Sequence, residues 1–217
     1  MSYDKKNPLN LYHYVHCPYC IRVRMAFDFA KVPYVSKVVP YNDEKTPVEL
    51  CQKKMLPIVQ DDQSAINESL DIIKKYCGDK FDFSNISEIN AVNLMVEGLG
   101  SEIHSLAMPY FIWTPEFDEE SRKYFQNKKE IKRGPFKDLM KRKEELIAKL
   151  NPKLRELEQE LKPFYQSQTL RLEDIMVAAH LWALFIVPEF QFSEKIYSYL
   201  MRVKAETGFE YHRDYME

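Results

Sequence analysis

Leu9-Asn-Leu-Tyr-His-Tyr-Val-His-Cys-Pro-Tyr-Cys20 runs an apolar, aromatic strand pattern straight into a pair of cysteines that opens an amphipathic helix. A thiol at a helix N-terminus faces unpaired backbone N–H groups and the positive end of the helix dipole, which favour thiolate over thiol. Cys17 is therefore a candidate nucleophile at neutral pH. Pro18 has no N–H to lose, and its fixed φ suits the first helical turn, so it also starts the helix. Cys20 follows one turn later, within disulfide reach.

Other uses of the two cysteines are a structural disulfide, half of a zinc site or two unrelated buried thiols. A zinc site needs about four ligands, and the chain has no second Cys-x-x-Cys and no helical His-x-x-x-His. His13 and His16 precede the cysteines, but residues three apart in a strand point to opposite faces and do not converge on one ion. No metal is expected. The strand-to-helix setting favours redox chemistry. Cys51 and Cys77 lack a partner in sequence and read as inert thiols.

The chain has 217 residues, 45% of them apolar and 13% aromatic, enough for one large core or two smaller ones. Its 31 basic and 33 acidic residues are interspersed, with a net charge of −2. No field attractive to nucleic acid or to an anionic membrane results. Four cysteines over this length do not resemble a disulfide scaffold, and a reducing compartment is expected. The first eight residues are polar and lack the apolar core of a signal peptide, and no stretch has the length of a transmembrane helix. The expected location is cytoplasmic.

Residues 9–76 alternate strand and helix. After a strand at 9–16 comes a helix over 18–31 with a solvated stripe of Arg24, Asp28 and Lys31. A β-branched strand over 32–39 and a polar turn at Asn42 to Lys45 follow, and then a short helix started by Thr46-Pro47. Leu56 to Gln60 and Ser64 to Asn67 read as strands joined by a turn at Asp61-Asp62-Gln63, and Glu68 to Tyr76 as a helix. The order is β-α-β-α-β-β-α. Residues 77–88 read as a linker, and 89–217 as a helical domain. There a long helix carries Ile89 to Leu106 and ends before Pro109; a second follows Thr114-Pro115-Glu116 and is broken at Gly134-Pro135. Leucines from 139 to 161 mark a hairpin or kinked helix interrupted at Pro152, and 175–187 is the central buried helix. The Lys- and Glu-rich surface of 136–162 reads as a solvated face. Ser193 caps the last helix.

Two further segments carry candidate chemistry. Pro57 begins a strand, where proline is confined to an edge or a special geometry; a trans peptide that merely starts the strand is favoured, since few X-Pro bonds are cis. Glu68-Ser69-Leu70-Asp71 opens a helix, where a carboxylate and a hydroxyl beside free N–H groups suit the charged ends of an amino acid. An ordinary N-cap is equally compatible.

Together, His16-Cys17-Pro18-Tyr19-Cys20, Leu56-Pro57, Glu68-Ser69-Leu70-Asp71-Ile72 and the helical residues 88–217 resemble a glutaredoxin domain fused to a glutathione-transferase-type helical domain. That is the architecture of a family of bacterial glutaredoxins, and Cys-Pro-Tyr-Cys is the dithiol glutaredoxin signature. The resemblance implies an α/β thioredoxin-like domain followed by an all-α bundle, and a cis peptide before Pro57. It further implies that Glu68 and Ser69 hold the γ-glutamyl group of glutathione and that the backbone of Leu56 pairs with the tripeptide's cysteine. Cys17 and Cys20 would be the catalytic pair, with Tyr19 lining the site or simply packing. The implied activity is glutathione-dependent reduction of glutathione mixed disulfides and protein disulfides, with glutathione as co-substrate and no tightly bound cofactor. Analogy of fold points to a monomer.

Within that frame Arg22 is expected to pair with an acid of the second domain rather than with a carboxylate of glutathione. Lys53 and Lys54 are within reach of the glycine carboxylate, but solvated lysines are the commoner case. One departure stands out. The family often has Ser or Thr three residues before an Asp at the start of the central helix, whereas Arg171-Leu-Glu-Asp174 stands here; the lost cap costs about 1 kcal/mol unless Thr169 or a shifted start supplies it. Competing functions are a glutathione transferase, which usually has one Tyr, Ser or Cys at the helix start, and a non-enzymatic redox-sensing interaction module.

Overall fold

The structure is a computed structural model, and it describes residues 8–114 and 116–210. The polar start at residues 1–7 lies outside the described residues, as does Pro115. β1 (Leu9–His13), α1 (Pro18–Ala30), β2 (Tyr34–Val38), α2 (Lys45–Cys51), β3 (Ile58–Gln60), β4 (Ala65–Asn67) and α3 (Ser69–Cys77) follow the order read from the sequence. The sheet order is β2-β1-β3-β4. β1 runs parallel to β2 and antiparallel to β3, and β3 pairs antiparallel with β4. β1 stops at His13 rather than residue 16. Its partner β2 ends at Val38, whose register mate is His13, so nothing remains to pair with the next three residues and the chain turns into α1.

Leu9 and Leu11 of β1 and Ile21, Val23, Met25 and Phe27 of α1 are buried, which explains the apolar character of both segments. The stripe of Arg24, Asp28 and Lys31 faces outward, half-buried at the first two and exposed at the third. The hairpin turn is held by Asp61 Oδ1, which accepts from the N–H groups of Gln63 and Ser64. α2 begins one residue before Thr46. Asp43 accepts from both the N–H and the hydroxyl of Thr46, doing the capping that the sequence assigned to Thr46 itself.

Helices fill the remainder: α4 (Ile86–Phe111), α5 (Glu119–Arg133), α6 (Phe136–Lys141), α7 (Lys143–Glu160), α8 (Leu172–Leu181), a 3₁₀ turn (Trp182–Ile186) and α9 (Glu194–Thr207). α8 packs against both α1 and α4, so one continuous core joins the sheet to the helices.

Two prolines expected to end helices do not. Pro109 lies buried inside α4, where packing against the core carries the helix on through the proline. Pro152 lies inside α7 on an exposed face, where the carbonyl it frees, that of exposed Ala148, meets water. The chain breaks instead at Arg142, between α6 and α7. α5 starts at Glu119, later than expected, with Asp118 accepting from Ser121 N–H as its cap. The buried helix near 175–187 begins at Leu172 and tightens into the 3₁₀ turn at Trp182.

α8 has no capping hydroxyl, and Thr169 does not supply one. The guanidinium of Arg171 cannot accept a hydrogen bond; it donates to Glu88 Oε1 at 3.0 Å and to Tyr165 O. Asp174 reaches back and accepts from the N–H groups of Arg171 at 2.8 Å and Tyr165 at 2.7 Å. Half of the capping box is thus kept. At α9 the expected cap is present, with Ser193 Oγ accepting from Ile196 N–H.

Candidate functional site

Cys17 occupies the N-cap of α1 in an extended conformation, and its carbonyl accepts from Ile21 N–H at 2.9 Å. Its side chain is partly exposed, whereas that of Cys20 is buried, and both thiols are free. The two differ in acidity for stated reasons. The thiol of Cys20 donates to Cys17, the N–H groups of Cys20 and Tyr19 point at its sulfur, and the charge of Arg22 lies nearby; against the opposing effect of burial, these hold Cys17 below the ordinary thiol value. Burial and the neighbouring Cys17 push Cys20 well above it. The two thiols are thus pushed in opposite directions.

Two neighbouring cavities share Tyr19, Met55 and Leu56 in their walls. The first, about 300 Å³, contains Cys17 and is walled by aromatic rings that include Tyr14, Tyr41, Phe111 and Phe125. Lys129 Nζ stands 5.5 Å from the ring centres of both Tyr41 and Phe125. The second, about 600 Å³, is lined by Tyr19, Arg22, Leu56, Pro57, Glu68 and Ser69 together with Asn93 and Glu97 of α4. Six of the seven residues singled out from the sequence line these two cavities, and the seventh, Cys20, is buried among Val39, Leu56 and Ile58.

The Leu56–Pro57 peptide is cis, as the resemblance implies and against the trans form that the sequence alone favours. Glu68 carries φ 71°, a backbone angle that side-chain-bearing residues rarely adopt. It turns the chain so that α3 starts at Ser69 on the cavity wall. Ser69 is buried and Glu68 is exposed at the rim.

Arg22 differs from expectation. It is 1% exposed and makes no ion pair among the described residues; Nη1 donates to Ser69 Oγ at 3.3 Å and Nη2 to Asn93 Oδ1 at 3.2 Å. Its guanidinium also lies 5.1 Å from the Tyr19 ring centre. Burial lowers its pKa to about 10, still charged at neutral pH. Lys53 is exposed. Lys54 is not simply solvated: it bridges Glu44 and the hydroxyl of Tyr124, tying α2 to α5.

The histidines have separate partners. His13 is buried with Nε2 2.7 Å from Ser36 Oγ, and burial lowers its pKa to about 4. His16 Nε2 lies 3.1 Å from Glu116 Oε1 and 3.3 Å from Thr114 Oγ1, with its ring against Phe111 and Trp182. Among the described residues, no group of three or more His, Cys, Asp or Glu is placed to hold a metal. Cys51 is half-buried; Cys77 is buried, its thiol directed at Ala26 O.

Sequence reasoning missed Asn93 and Glu97. They are polar positions one turn apart on an amphipathic helix, and nothing in the sequence separates them from the rest of that polar face.

Comparison with known proteins matches two stretches of the chain. The family model described as "Glutathione S-transferase, N-terminal domain" matches residues 11–79, and that described as "Glutaredoxin 2, C terminal domain" matches residues 91–214. Glutaredoxin 2 of Escherichia coli K12 is 30% identical over 208 residues, covering 92% of this chain and 95% of that protein. The crystal structure of Glutaredoxin 2 from Salmonella typhimurium in complex with glutathione superposes with a TM-score of 0.83 at 27% identity, covering 96% of this chain and 99% of that one. A glutathione S-transferase of Ceriporiopsis subvermispora in complex with glutathione shares the fold at 14% identity, with a TM-score of 0.79 over 93% of this chain and 97% of that one. The architecture is thus a thioredoxin-like sheet unit followed by a glutathione-transferase-like helical bundle.

Proposed function

The chain belongs to the glutaredoxin 2 family and is a glutathione-dependent oxidoreductase; from that premise we propose that Cys17-Pro18-Tyr19-Cys20 is its redox site. The observation that carries this reading is the split between the two thiols: an accessible Cys17 held toward thiolate at the helix start, and a buried Cys20 held protonated. The pairing is that of an attacking and a resolving cysteine.

Toward a glutathione mixed disulfide, the Cys17 thiolate attacks the glutathione sulfur. The S–S bond breaks, the substrate leaves as thiolate and takes a proton from solvent, and glutathione remains on Cys17. A second glutathione thiolate attacks that glutathione sulfur, giving oxidised glutathione and restoring Cys17. Toward a protein disulfide, Cys17 forms a mixed disulfide with the protein. Cys20 then loses its proton and attacks the Cys17 sulfur, releasing the reduced protein and leaving a Cys17–Cys20 disulfide for glutathione to reduce.

Glutathione is the co-substrate, and no tightly bound cofactor enters this chemistry. Its γ-glutamyl group sits at Glu68 and Ser69, its cysteine pairs with the backbone of Leu56 before Pro57, and Tyr19 covers the sulfur. The glutathione complex of the Salmonella typhimurium relative supports this, as does the cavity shared by these residues. The domains of the reading are 9–76 and 89–217, joined by 77–88. Substrates are glutathionylated or disulfide-containing proteins, the location is cytoplasmic, and the chain acts as a monomer. No helix among the described residues is long and apolar enough to cross a membrane.

The test is reduction of a small glutathione mixed disulfide, coupled through glutathione reductase to NADPH, by wild type, Cys17→Ser and Cys20→Ser. Activity lost in the first variant and kept in the second is expected. Activity retained by Cys17→Ser, or conjugation of a chlorinated aromatic to glutathione as the main reaction, contradicts the reading.

A further inference from the structure

Cys17 lines the first cavity and not the second. The walls there are continuous aromatic surface: the ring centres of Tyr14 and Tyr41 are 4.6 Å apart, those of Tyr41 and Phe125 4.5 Å, and those of Phe117 and Phe125 5.3 Å. Three charged side chains, Glu116, Lys54 and Lys129, reach this lining, and two of them are engaged. Glu116 lies 3.1 Å from Nε2 of His16, and Lys54 bridges Glu44 and the Tyr124 hydroxyl. Lys129 has neither an ion pair nor a hydrogen bond with a described residue, and the charges beside it on α5, those of Lys128, Lys132 and Arg133, repeat its sign. His104 of the same lining is uncharged at neutral pH, its pKa lowered to about 4 by burial and by Arg133.

Rings around one cation that lacks a counter-ion suit a flat, apolar ligand with an anion at its far end. With glutathione in the second cavity, the first adjoins it through Tyr19, Met55 and Leu56, beside the sulfur that Cys17 attacks. We propose that the first cavity receives the departing half of the mixed disulfide, and that Lys129 selects an aromatic thiol bearing a carboxylate over its neutral counterpart. This rests on the glutathione reading above and adds to it the chemical class of the second thiol. The Cys17 thiolate bonds to the glutathione sulfur, the S–S bond breaks, and its electron pair leaves on the arenethiolate, whose carboxylate faces Lys129.

The test compares the glutathione mixed disulfides of para-mercaptophenylacetic acid and para-mercaptophenylacetamide, with that of mercaptoethanol as a substrate that lacks the ring. A methylene between ring and carboxylate keeps the two arenethiols close in reactivity. kcat/KM is measured on the full chain in the reduction coupled through glutathione reductase to NADPH, with uncatalysed exchange subtracted. The wild type is expected to prefer the acid over the amide about fivefold to tenfold, the ratio for one charge-assisted contact at a partly exposed site. Lys129→Met should bring that ratio close to one, and Lys128→Met, on the exposed side of α5, should keep it. A wild type without the preference overturns the inference. So does an equal slowing of all three substrates in Lys129→Met with the ratio intact, which would mean that Lys129 acts on the Cys17 thiolate alone. A ratio lost as fully in Lys128→Met as in Lys129→Met also overturns it, by assigning the preference to the general field of α5. Each of these leaves the glutathione reading standing, whereas a wild type that reduces none of the three disulfides overturns both.

Discussion

Cys20 sits buried one turn behind Cys17 and directs its thiol hydrogen at the Cys17 sulfur. The bond favours charge on Cys17 and, added to the larger effect of burial, opposes it on Cys20, so the two acidities move apart.

Alkylation by iodoacetamide as a function of pH reads this directly. Cys17 should react with an inflection below the free-thiol value near 8.5, and Cys20 should stay unmodified in the folded protein. Cys20→Ala removes the donor and should move the inflection up. The sign for stability follows: the folded pKa of Cys17 is depressed, so its contribution is full above the free-thiol pKa and is lost as pH falls through the folded value.

Arg22→Met should raise the Cys17 inflection as well, because it removes the positive charge while keeping side-chain volume. At saturating glutathione mixed disulfide, the expected loss of disulfide-reducing activity is several-fold near pH 6.5 and small near pH 9, where the thiol ionises unaided. A loss of the same size at both pH values would contradict a role of Arg22 in holding the Cys17 thiolate.

His16→Ala removes the contacts that dock the turn before Cys17 onto the helical unit, to Glu116, Thr114, Phe111 and Trp182. Denaturant unfolding should show a loss of about 2–3 kcal/mol, mostly from the emptied ring space.

Asp174→Ala strands two backbone N–H groups, those of Arg171 and Tyr165, at a cost of about 3 kcal/mol. Burial raises the Asp174 carboxyl to about 6. The group's favourable contribution is therefore full below the unfolded value near 4 and is lost as pH rises through 6. That slope should be present in wild type and absent in Asp174→Asn.

The order of elements through residue 77 was legible because each has a local signal: period-two apolar strands, Pro18 at a helix start and Asp61 in a turn. The prolines at 109 and 152 misled, because a helix continues through a proline where its surroundings allow it: Pro109 is buried in α4 against the core and Pro152 sits on the exposed face of α7; neither placement is a local property of sequence. Cys17 and Cys20 could be read from spacing, and Leu56, Pro57, Glu68 and Ser69 from resemblance. Asn93 and Glu97 could not be read at all, since only the packing of α4 across the sheet unit brings them to the cavity. Arg22 was mispaired for the same reason: its partners, Ser69 and Asn93, lie 47 and 71 residues away.

The central claim is that Cys17 carries the glutathione adduct, and peptide mass mapping after brief exposure to a glutathione mixed disulfide tests it most directly. Cys20→Ser should show one added glutathione on the peptide holding Cys17, and Cys17→Ser should show none on Cys20. An adduct found on Cys20, Cys51 or Cys77 with Cys17 unmodified would contradict the account.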